Sequence, residues 1–242
     1  KAVVCNHVSN VFGFIQPVEE IADICRKRGV PFIVDASQSA GILPLNMETL
    51  GAAFIAMPGH KGLYGPQGTG VLLCGAGVPV RPRMVGGTGS QSIQQQMPDF
   101  LPDRLEAGTL NVPGIAGLLA GVRYVRRGGL NKILDHEKHL TQMTIQGLET
   151  LPGIRVYASP GLQNQTGVLS LTAEGLDVET IGSALEERGI AVRTGIHCAP
   201  YAHRTAGTLD TGTVRLSFSD FNTPEEVARL LRALCGVLGR AF

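Results

Sequence analysis

The chain has 242 residues, of which 43% are hydrophobic, and a formal net charge of +1. This length suffices for one large domain, or for a large and a small one, with a substantial core. The balance of 21 basic and 20 acidic side chains creates no field that would attract nucleic acid or an anionic membrane, and no apolar run is long enough to span a bilayer. We therefore expect a soluble, cytoplasmic protein whose partner is a small molecule.

The first half of the chain alternates short apolar runs with amphipathic stretches. "AVVCNHVSN" predicts a strand and its exit loop, "QPVEEIADICRKRG" a helix and "VPFIVDASQ" a second strand. A short helix "NMETLG" then precedes the strands "AAFIAMPGHK" and "TGVLLCG". This alternation is typical of an α/β fold with a mostly parallel sheet, whose ligands bind beyond the carboxyl ends of the strands. Asn10, Asp35 and the pair His60-Lys61 each fall at such an end.

The second half predicts a different architecture. Residues 75–112 are rich in Gly, Pro and Gln and have poor periodicity, which is typical of a functional or disordered loop. Two helical stretches follow, and then short strands and helices from "GIRVYA" to "TPEEVARLLRALCGVL". We expect residues 1–130 to be part of a large domain and residues 131–242 to form a smaller α+β domain. The chain begins inside a β-branched run without Met or a signal peptide, so we expect the N-terminal part of the large domain to be missing.

The residues at the strand ends suggest cofactor chemistry. A pyridine-ring cofactor that acts as an electron sink needs a buried carboxylate beside its ring nitrogen, and Asp35 can serve. It also needs a lysine whose amine forms an imine with the cofactor aldehyde, as Lys61 could. The amide of Gln38 would lie near the ring hydroxyl. Singly, Asp35 is more often a turn residue or helix cap and His60-Lys61 a solvated surface pair, but the set favours the functional reading.

Five segments carry a resemblance to a known family. "HVSN", "VDASQSAG", "GHKGLYGPQGTG", "EAGTLN" and "RTGIHCAP" occur in family order over essentially the whole chain. They closely resemble the cysteine desulfurase and selenocysteine lyase family, in the class V branch of the fold-type I pyridoxal-phosphate enzymes. The resemblance implies the fold of a fold-type I pyridoxal 5'-phosphate-dependent transferase.

The resemblance also implies roles at the cofactor. Lys61 would hold pyridoxal 5'-phosphate covalently, Asp35 would pair with the ring nitrogen and Gln38 would contact the ring hydroxyl. His60 would lie beside the imine as a proton carrier. Thr109 matches a residue that reaches the cofactor phosphate of a partner subunit, which implies a homodimer; a threonine in a turn is its plain alternative.

On the substrate side, Asn10 resembles an asparagine that lies near both the cofactor and the substrate carboxylate. Arg215 matches the arginine that binds that carboxylate, a role suited to a bidentate guanidinium. Arg193 lies close to this region in the predicted fold and would assist, although a surface arginine at a strand end is about as common. The implied substrate is L-cysteine or an analogue.

Cys198 occupies the position of the family's nucleophilic cysteine, which takes sulfur from the substrate as a persulfide for an acceptor protein. A thiolate requires a base nearby, and His197 and His203 are candidates. The loop around Cys198 contains Gly, His and Pro, which disfavours a buried structural cysteine. Four further cysteines are expected to be small buried core residues: Cys5, Cys25, Cys74 and Cys235. The odd total of five cysteines, their wide spacing and the lack of a C-x-x-C pair argue against disulfides and a zinc site.

Three departures limit the transfer of function. Met57-Pro58-Gly59 stands where relatives often place a phosphate-binding serine, and proline offers neither a hydroxyl nor an N–H donor. The resemblance implies an upstream segment with a stacking histidine and a phosphate-binding turn, which we expect to be missing here, and Ile196-His197 replaces the histidine pair of some relatives.

Other functions therefore stay open. One is a class V aminotransferase, or a selenocysteine or cysteine-sulfinate lyase, that does not need Cys198. Another is an inactive fragment without a complete cofactor site. A nicotinamide-binding domain is disfavoured because no G-x-G-x-x-G follows the first strand.

Overall fold

A computed structural model describes residues 1–91 and 93–239. The first sheet has the strand order β1-β2-β3-β4. Its elements, with the helices between them, are β1 (Val3–Asn6), α1 (Val18–Lys27), β2 (Phe32–Asp35), α2 (Met47–Leu50), β3 (Phe54–Pro58) and β4 (Gly70–Cys74). Strands β1, β2 and β3 are parallel, and β4 runs antiparallel to β3.

Local sequence signals explain where the early helices begin and end. Helix α1 follows Pro17 and carries acidic residues in its first turn and basic residues in its last, which complements the helix dipole. The side chain of Asn46 caps α2 by accepting hydrogen bonds from two backbone N–H groups. One face of the sheet packs with these helices around a buried cluster: Val18, Ala22, Cys25, Phe32, Val34, Ala36, Leu50, Ala52 and Ile55.

The second half of the chain forms a separate antiparallel sheet with the order β5-β6-β8-β7. Two long helices lead into it, α3 (Val112–Gly128) and α4 (Leu130–Glu149). Its elements are β5 (Ile154–Tyr157), β6 (Val168–Ala173), α5 (Val178–Glu186), β7 (Arg193–Gly195), α6 (Pro200–Ala206), β8 (Thr213–Ser217) and α7 (Pro224–Val237), with a 3-10 turn at Pro160–Leu162.

The second sheet has its own core, which includes Leu169, Leu171, Val214 and Leu234. Helix α7 begins with a capping box between Thr223 and Glu226. We propose the division into domains of residues 1–130 and 131–242, because α3 ends and α4 begins on either side of Gly129.

Two further properties bear on function. No helix within residues 1–91 and 93–239 combines the length and apolarity needed to cross a membrane. In the same ranges, no three His, Cys, Asp or Glu side chains are grouped so that they could hold a metal ion.

Candidate active site

The first part of the site lies at one edge of the first sheet. Because β2 and β3 are parallel, Asp35 at the end of β2 and His60-Lys61 just after β3 leave the sheet on the same side. The backbone N–H of Ser37 donates to Asp35 Oδ1 over 2.8 Å. The predicted placement of these residues at neighbouring strand ends is therefore confirmed.

Close backbone packing joins the two turns that carry these residues. A Cβ atom on Gly41 would lie 2.0 Å from the carbonyl oxygen of Gly62, and Gly41 has a φ of +84°. Only glycine fits there without strain. The turn containing Gln38 therefore lies directly against the turn containing Lys61.

Exposure at this edge differs from the sequence prediction. We expected Asp35 to be buried, but its side chain is exposed, as are those of His60 and Lys61, while Gln38 is half-buried. A groove of about 940 Å³ adjoins Asp35, with Met57, Leu72 and Leu101 among its lining residues. The carboxyl end of β2 therefore opens into this groove.

The loop after β1 connects this edge to the second sheet. The backbone N–H of His7 donates to the Asp35 carbonyl over 2.9 Å. Three residues on, Asn10 Nδ2 donates to the His197 carbonyl over 2.6 Å, and Arg215 Nη1 donates to the Asn10 carbonyl over 2.9 Å. Asn10 therefore links the turn that carries Cys198 to strand β8.

Arg215 and Arg193 lie opposite each other on paired strands β8 and β7. Burial lowers the pKa of Arg215, and the positive charge of Arg193 lowers it further, while Cys198 acts in the opposite direction. The Nε of Arg215 is buried and has no hydrogen-bond partner among the described residues. A buried guanidinium donor without a partner suits an anionic ligand such as a carboxylate.

Cys198 lies in a strained turn between β7 and α6. Its side chain is exposed, and its backbone φ is 60°, while that of His197 is 52°. Two successive non-glycine residues in the left-handed region cost about 1 to 3 kcal/mol each, and such strain persists only where surrounding contacts hold it. The hydrogen bond from Asn10 to the His197 carbonyl is one of those contacts.

The two histidines offered as bases for Cys198 differ in environment. Burial, followed by the charge of Arg215, lowers the pKa of His197 to about 4, so its ring is neutral at pH 7. The ring of His203 is fully buried, its Nδ1 contacts Thr208 Oγ1 at 2.8 Å, and burial lowers its pKa. The two ring centroids are 5.7 Å apart. His197, directly before Cys198 and half-buried, is the better candidate.

Thr109 and the other cysteines complete the comparison with the sequence. Thr109 is exposed, two residues before the Asn111 cap of α3, and it stays a prediction. Cys25 and Cys235 are buried as expected. The prediction was wrong for Cys5 and Cys74, which are only half-buried because they lie on the two edge strands β1 and β4.

Sequence reasoning missed a buried polar pair on the second sheet. Ser170 on β6 and Thr213 on β8 are both fully buried and hydrogen-bonded. Ser170 interrupts the apolar run "VLSLTA", and a hydroxyl in a buried strand is the signal that could have revealed it.

Comparisons with known proteins agree with this arrangement. The family model for class-V aminotransferases matches residues 1–230. A probable cysteine desulfurase of Methanothermobacter thermautotrophicus is 37% identical over 99% of this chain and 61% of its own length. One of Pyrococcus abyssi is 37% identical over 97% of this chain and 59% of its own. The chain thus spans about 60% of the length of these curated relatives.

Solved structures show the same likeness. The apo structure of a cysteine desulfurase from Thermococcus onnurineus NA1 aligns with a TM-score of 0.90 and 37% identity, over 99% of this chain and 60% of its own. The cysteine desulfurase CsdA from Escherichia coli aligns with a TM-score of 0.88 and 28% identity, over 99% and 59%. With the sheet edge, the Asn10 link and the family model in agreement, the chain belongs to the class-V aminotransferase family.

Proposed function

We propose that this chain carries the lysine, carboxylate and thiol of a pyridoxal-phosphate-dependent cysteine desulfurase, which converts L-cysteine to L-alanine and transfers the sulfur to Cys198. The observation that carries the proposal is the exposed Cys198 thiol in a strained turn tied to Asn10 and, through it, to Arg215. The relatives named cysteine desulfurases support it. Because the chain spans about 60% of their length, the activity of the whole protein is part of the proposal.

The donor set at the site fits pyridoxal phosphate at its ring and at the attached amino acid. Asp35 keeps its Oδ2 free of hydrogen bonds among the described residues, so a carboxylate oxygen can face a pyridinium nitrogen. Lys61 forms no ion pair there, which leaves its amine free to hold the cofactor aldehyde. Gln38 and His60 belong to the two packed turns beside it. These residues would hold the ring.

The described residues offer fewer hydrogen-bond donors for the phosphate end of the cofactor. Pro58 at the end of β3 has no N–H donor, and the hydroxyl of the nearby Thr69 donates to the Pro66 carbonyl. We infer that Thr109 contributes to phosphate binding across a homodimer, as the family resemblance implies. This step depends on the exposed position of Thr109 ahead of α3.

When bound, the cofactor withdraws electrons from the Cα atom of an attached amino acid. The chain's own groups then divide the work. Lys61, at its amine, moves the Cα proton, and His60 is a second proton carrier beside it. Arg215 binds the substrate carboxylate with assistance from Arg193, and Asn10 orients it.

The sulfur step takes place at Cys198. Its thiolate attacks the sulfur of the substrate, so an S–S bond forms and the C–S bond breaks. The electron pair of the broken bond remains on the carbon, which takes up a proton and becomes the methyl group of alanine. The carbon is reduced and the sulfur oxidised, which leaves a Cys198 persulfide for a reductant or an acceptor protein. A free thiol of this kind is suited to the reducing cytoplasm, where we place the protein.

The cofactor site is tested by incubating the protein with pyridoxal phosphate, reducing it with borohydride and mapping the modified peptide. We expect the stable adduct on Lys61 and its absence in Lys61→Ala, whereas Lys132→Ala on α4 should label as the unmodified protein does. An unlabelled Lys61 would establish that this chain alone is a non-catalytic fragment. The open edge at Asp35 and the lack of an N–H donor at Pro58 make that outcome the specific alternative.

The role of Cys198 is tested separately. Cys198→Ala should abolish persulfide formation from L-cysteine and keep cofactor labelling, and Cys74→Ala should retain both. Full desulfurase activity in Cys198→Ala would instead indicate a lyase or aminotransferase that uses Lys61 and Asp35 without this thiol.

A further inference from the structure

A chain of buried hydrogen bonds runs from the turn of Cys198 into the second sheet. His197 Nε2 lies 3.1 Å from both the backbone carbonyl and the Oγ1 of Thr213. Thr213 Oγ1 donates to Ser170 Oγ over 3.3 Å, and Ser170 Oγ donates to the Val11 carbonyl over 2.6 Å. Thr213 and Ser170 have no exposed surface. The chain therefore crosses from β8 through β6 to the loop that follows β1.

The donor and the acceptor of each hydrogen bond in this series are fixed. The Val11 carbonyl can only accept, so the single Ser170 hydroxyl proton points to it, and Ser170 must accept from Thr213. The Thr213 hydroxyl proton is therefore donated to Ser170, and the backbone carbonyl of Thr213 can only accept. His197 must then carry its proton on Nε2, which leaves Nδ1 as an unprotonated ring nitrogen.

A second hydrogen bond closes these contacts into a ring. Asn10, the residue before Val11, donates from Nδ2 to the His197 carbonyl over 2.6 Å. The same loop is fixed further along, because Gln165 Nε2 donates to the Phe12 carbonyl over 2.8 Å. The loop after β1 is thus held to the Cys198 turn directly at Asn10 and, through Ser170 and Thr213, at Val11.

The groups that face His197 favour its neutral form. Arg215 on β8 and Arg193 on β7 are cationic, and His203 on α6 lies behind it. Together with burial they keep the pKa of His197 at about 4, so the ring does not titrate between pH 6 and 9.

We propose that Thr213 and Ser170 are positioning residues, which fix the Nε2–H tautomer of His197 and hold the strained turn of Cys198 in register with the Asn10 loop. The inference rests on the proposed function for its catalytic meaning, because a nucleophile must meet a substrate held by Asn10 and Arg215. The ring of contacts itself does not depend on that function.

Two variants at one position separate this role from packing. Thr213→Val keeps the shape of the side chain and removes the hydroxyl, whereas Thr213→Ser keeps the hydroxyl and removes a methyl group. If the Thr213 hydroxyl holds the two loops together, backbone amide exchange at Gly13 and Ala199 should rise about tenfold in Thr213→Val and stay within about twofold in Thr213→Ser. A rise of about tenfold is what the loss of one net hydrogen bond implies. The kcat for persulfide formation should follow the same order, with KM little changed.

The outcomes are distinct. Exchange that rises equally in both variants, or more in Thr213→Ser, overturns the proposal in favour of packing. Exchange that changes only within β8 overturns it as well. If unmodified protein forms no persulfide but Thr213→Val still loosens both loops while Thr213→Ser does not, the positioning ring is supported and the desulfurase proposal fails. Long-range proton–nitrogen spectra of unmodified protein in which His197 lacks the Nε2–H pattern would also refute the positioning role of Thr213 and Ser170.

Discussion

Glu137 on α4 is a buried carboxyl whose ionisation should set the pH dependence of stability. It is 2% exposed, and its Oε2 has no hydrogen-bond partner among the described residues. Burial raises its pKa from 4.5 to about 8; the backbone N–H of Gly167 opposes the shift, and the charge of Asp220 adds to it. The group is therefore neutral in the folded protein at pH 7.

The sign of the effect follows from the two states. Below pH 4.5 the carboxyl is protonated in both, and it contributes nothing. Between pH 4.5 and about 8 the unfolded chain has lost the proton and the folded chain has kept it, so the free energy of unfolding falls as pH rises. Each pH unit in this range lowers the free energy of unfolding by about 1.4 kcal/mol, so the loss amounts to about 3 kcal/mol at pH 7.

Glu137→Gln removes this titration and keeps the shape of the side chain. We expect the variant to gain about 3 kcal/mol over the unmodified protein between pH 5 and pH 7.5, measured by urea unfolding at each pH. Glu149→Gln, at the exposed end of the same helix, is the matched control and should not change the slope. Equal pH slopes in Glu137→Gln and the unmodified protein would refute a neutral buried carboxyl.

Two further predictions concern a close helix contact and the arginine that we propose binds the substrate carboxylate. Gly121→Ala in α3 should destabilise the protein by more than about 1 kcal/mol in thermal unfolding, because the new Cβ would lie 2.1 Å from the Leu63 carbonyl oxygen. Gly236→Ala in α7, with open space around it, should instead stabilise the protein by up to about 1 kcal/mol. A stability change of the same sign in both variants would contradict the close contact at Gly121. Arg215→Lys should raise the KM for L-cysteine about tenfold or more, because the planar guanidinium that can bind a carboxylate with two hydrogen bonds is lost. Arg232→Lys, at an exposed position, should leave the KM unchanged. An unchanged KM in Arg215→Lys would show that Arg215 does not bind the substrate carboxylate.

Most strands and helices could be predicted from sequence because their signals are local. Apolar periodicity and caps such as Asn46 and Thr223 mark the elements, and adjacent parallel strands bring Asp35 and Lys61 to one edge. The direction of β4 was not predicted. The connection from Pro58 to Gly70 is too short for a helical crossover, which forces the strand to run back along β3.

Features that depend on distant partners could not be predicted. The exposure of Asp35 depends on what covers the sheet edge, which periodicity within β2 does not report. The ring through Thr213 and Ser170 joins residues far apart in the chain. Each residue looks like an ordinary strand hydroxyl until the pairing of β6 with β8 is known.

The reversal of β4 also determines where the next segment starts. Cys74 pairs with Phe54, so residues 75–111 depart from the end of the sheet opposite the site, whereas α3 begins near Thr69 at the site end. Five extended residues cover about 17 Å, the length of such a strand. The stretch from 75 to 111 is several times longer than this return requires. Most of this stretch is not needed for the return, and its last residues, including Thr109 two positions before the Asn111 cap of α3, end at the site end of the sheet.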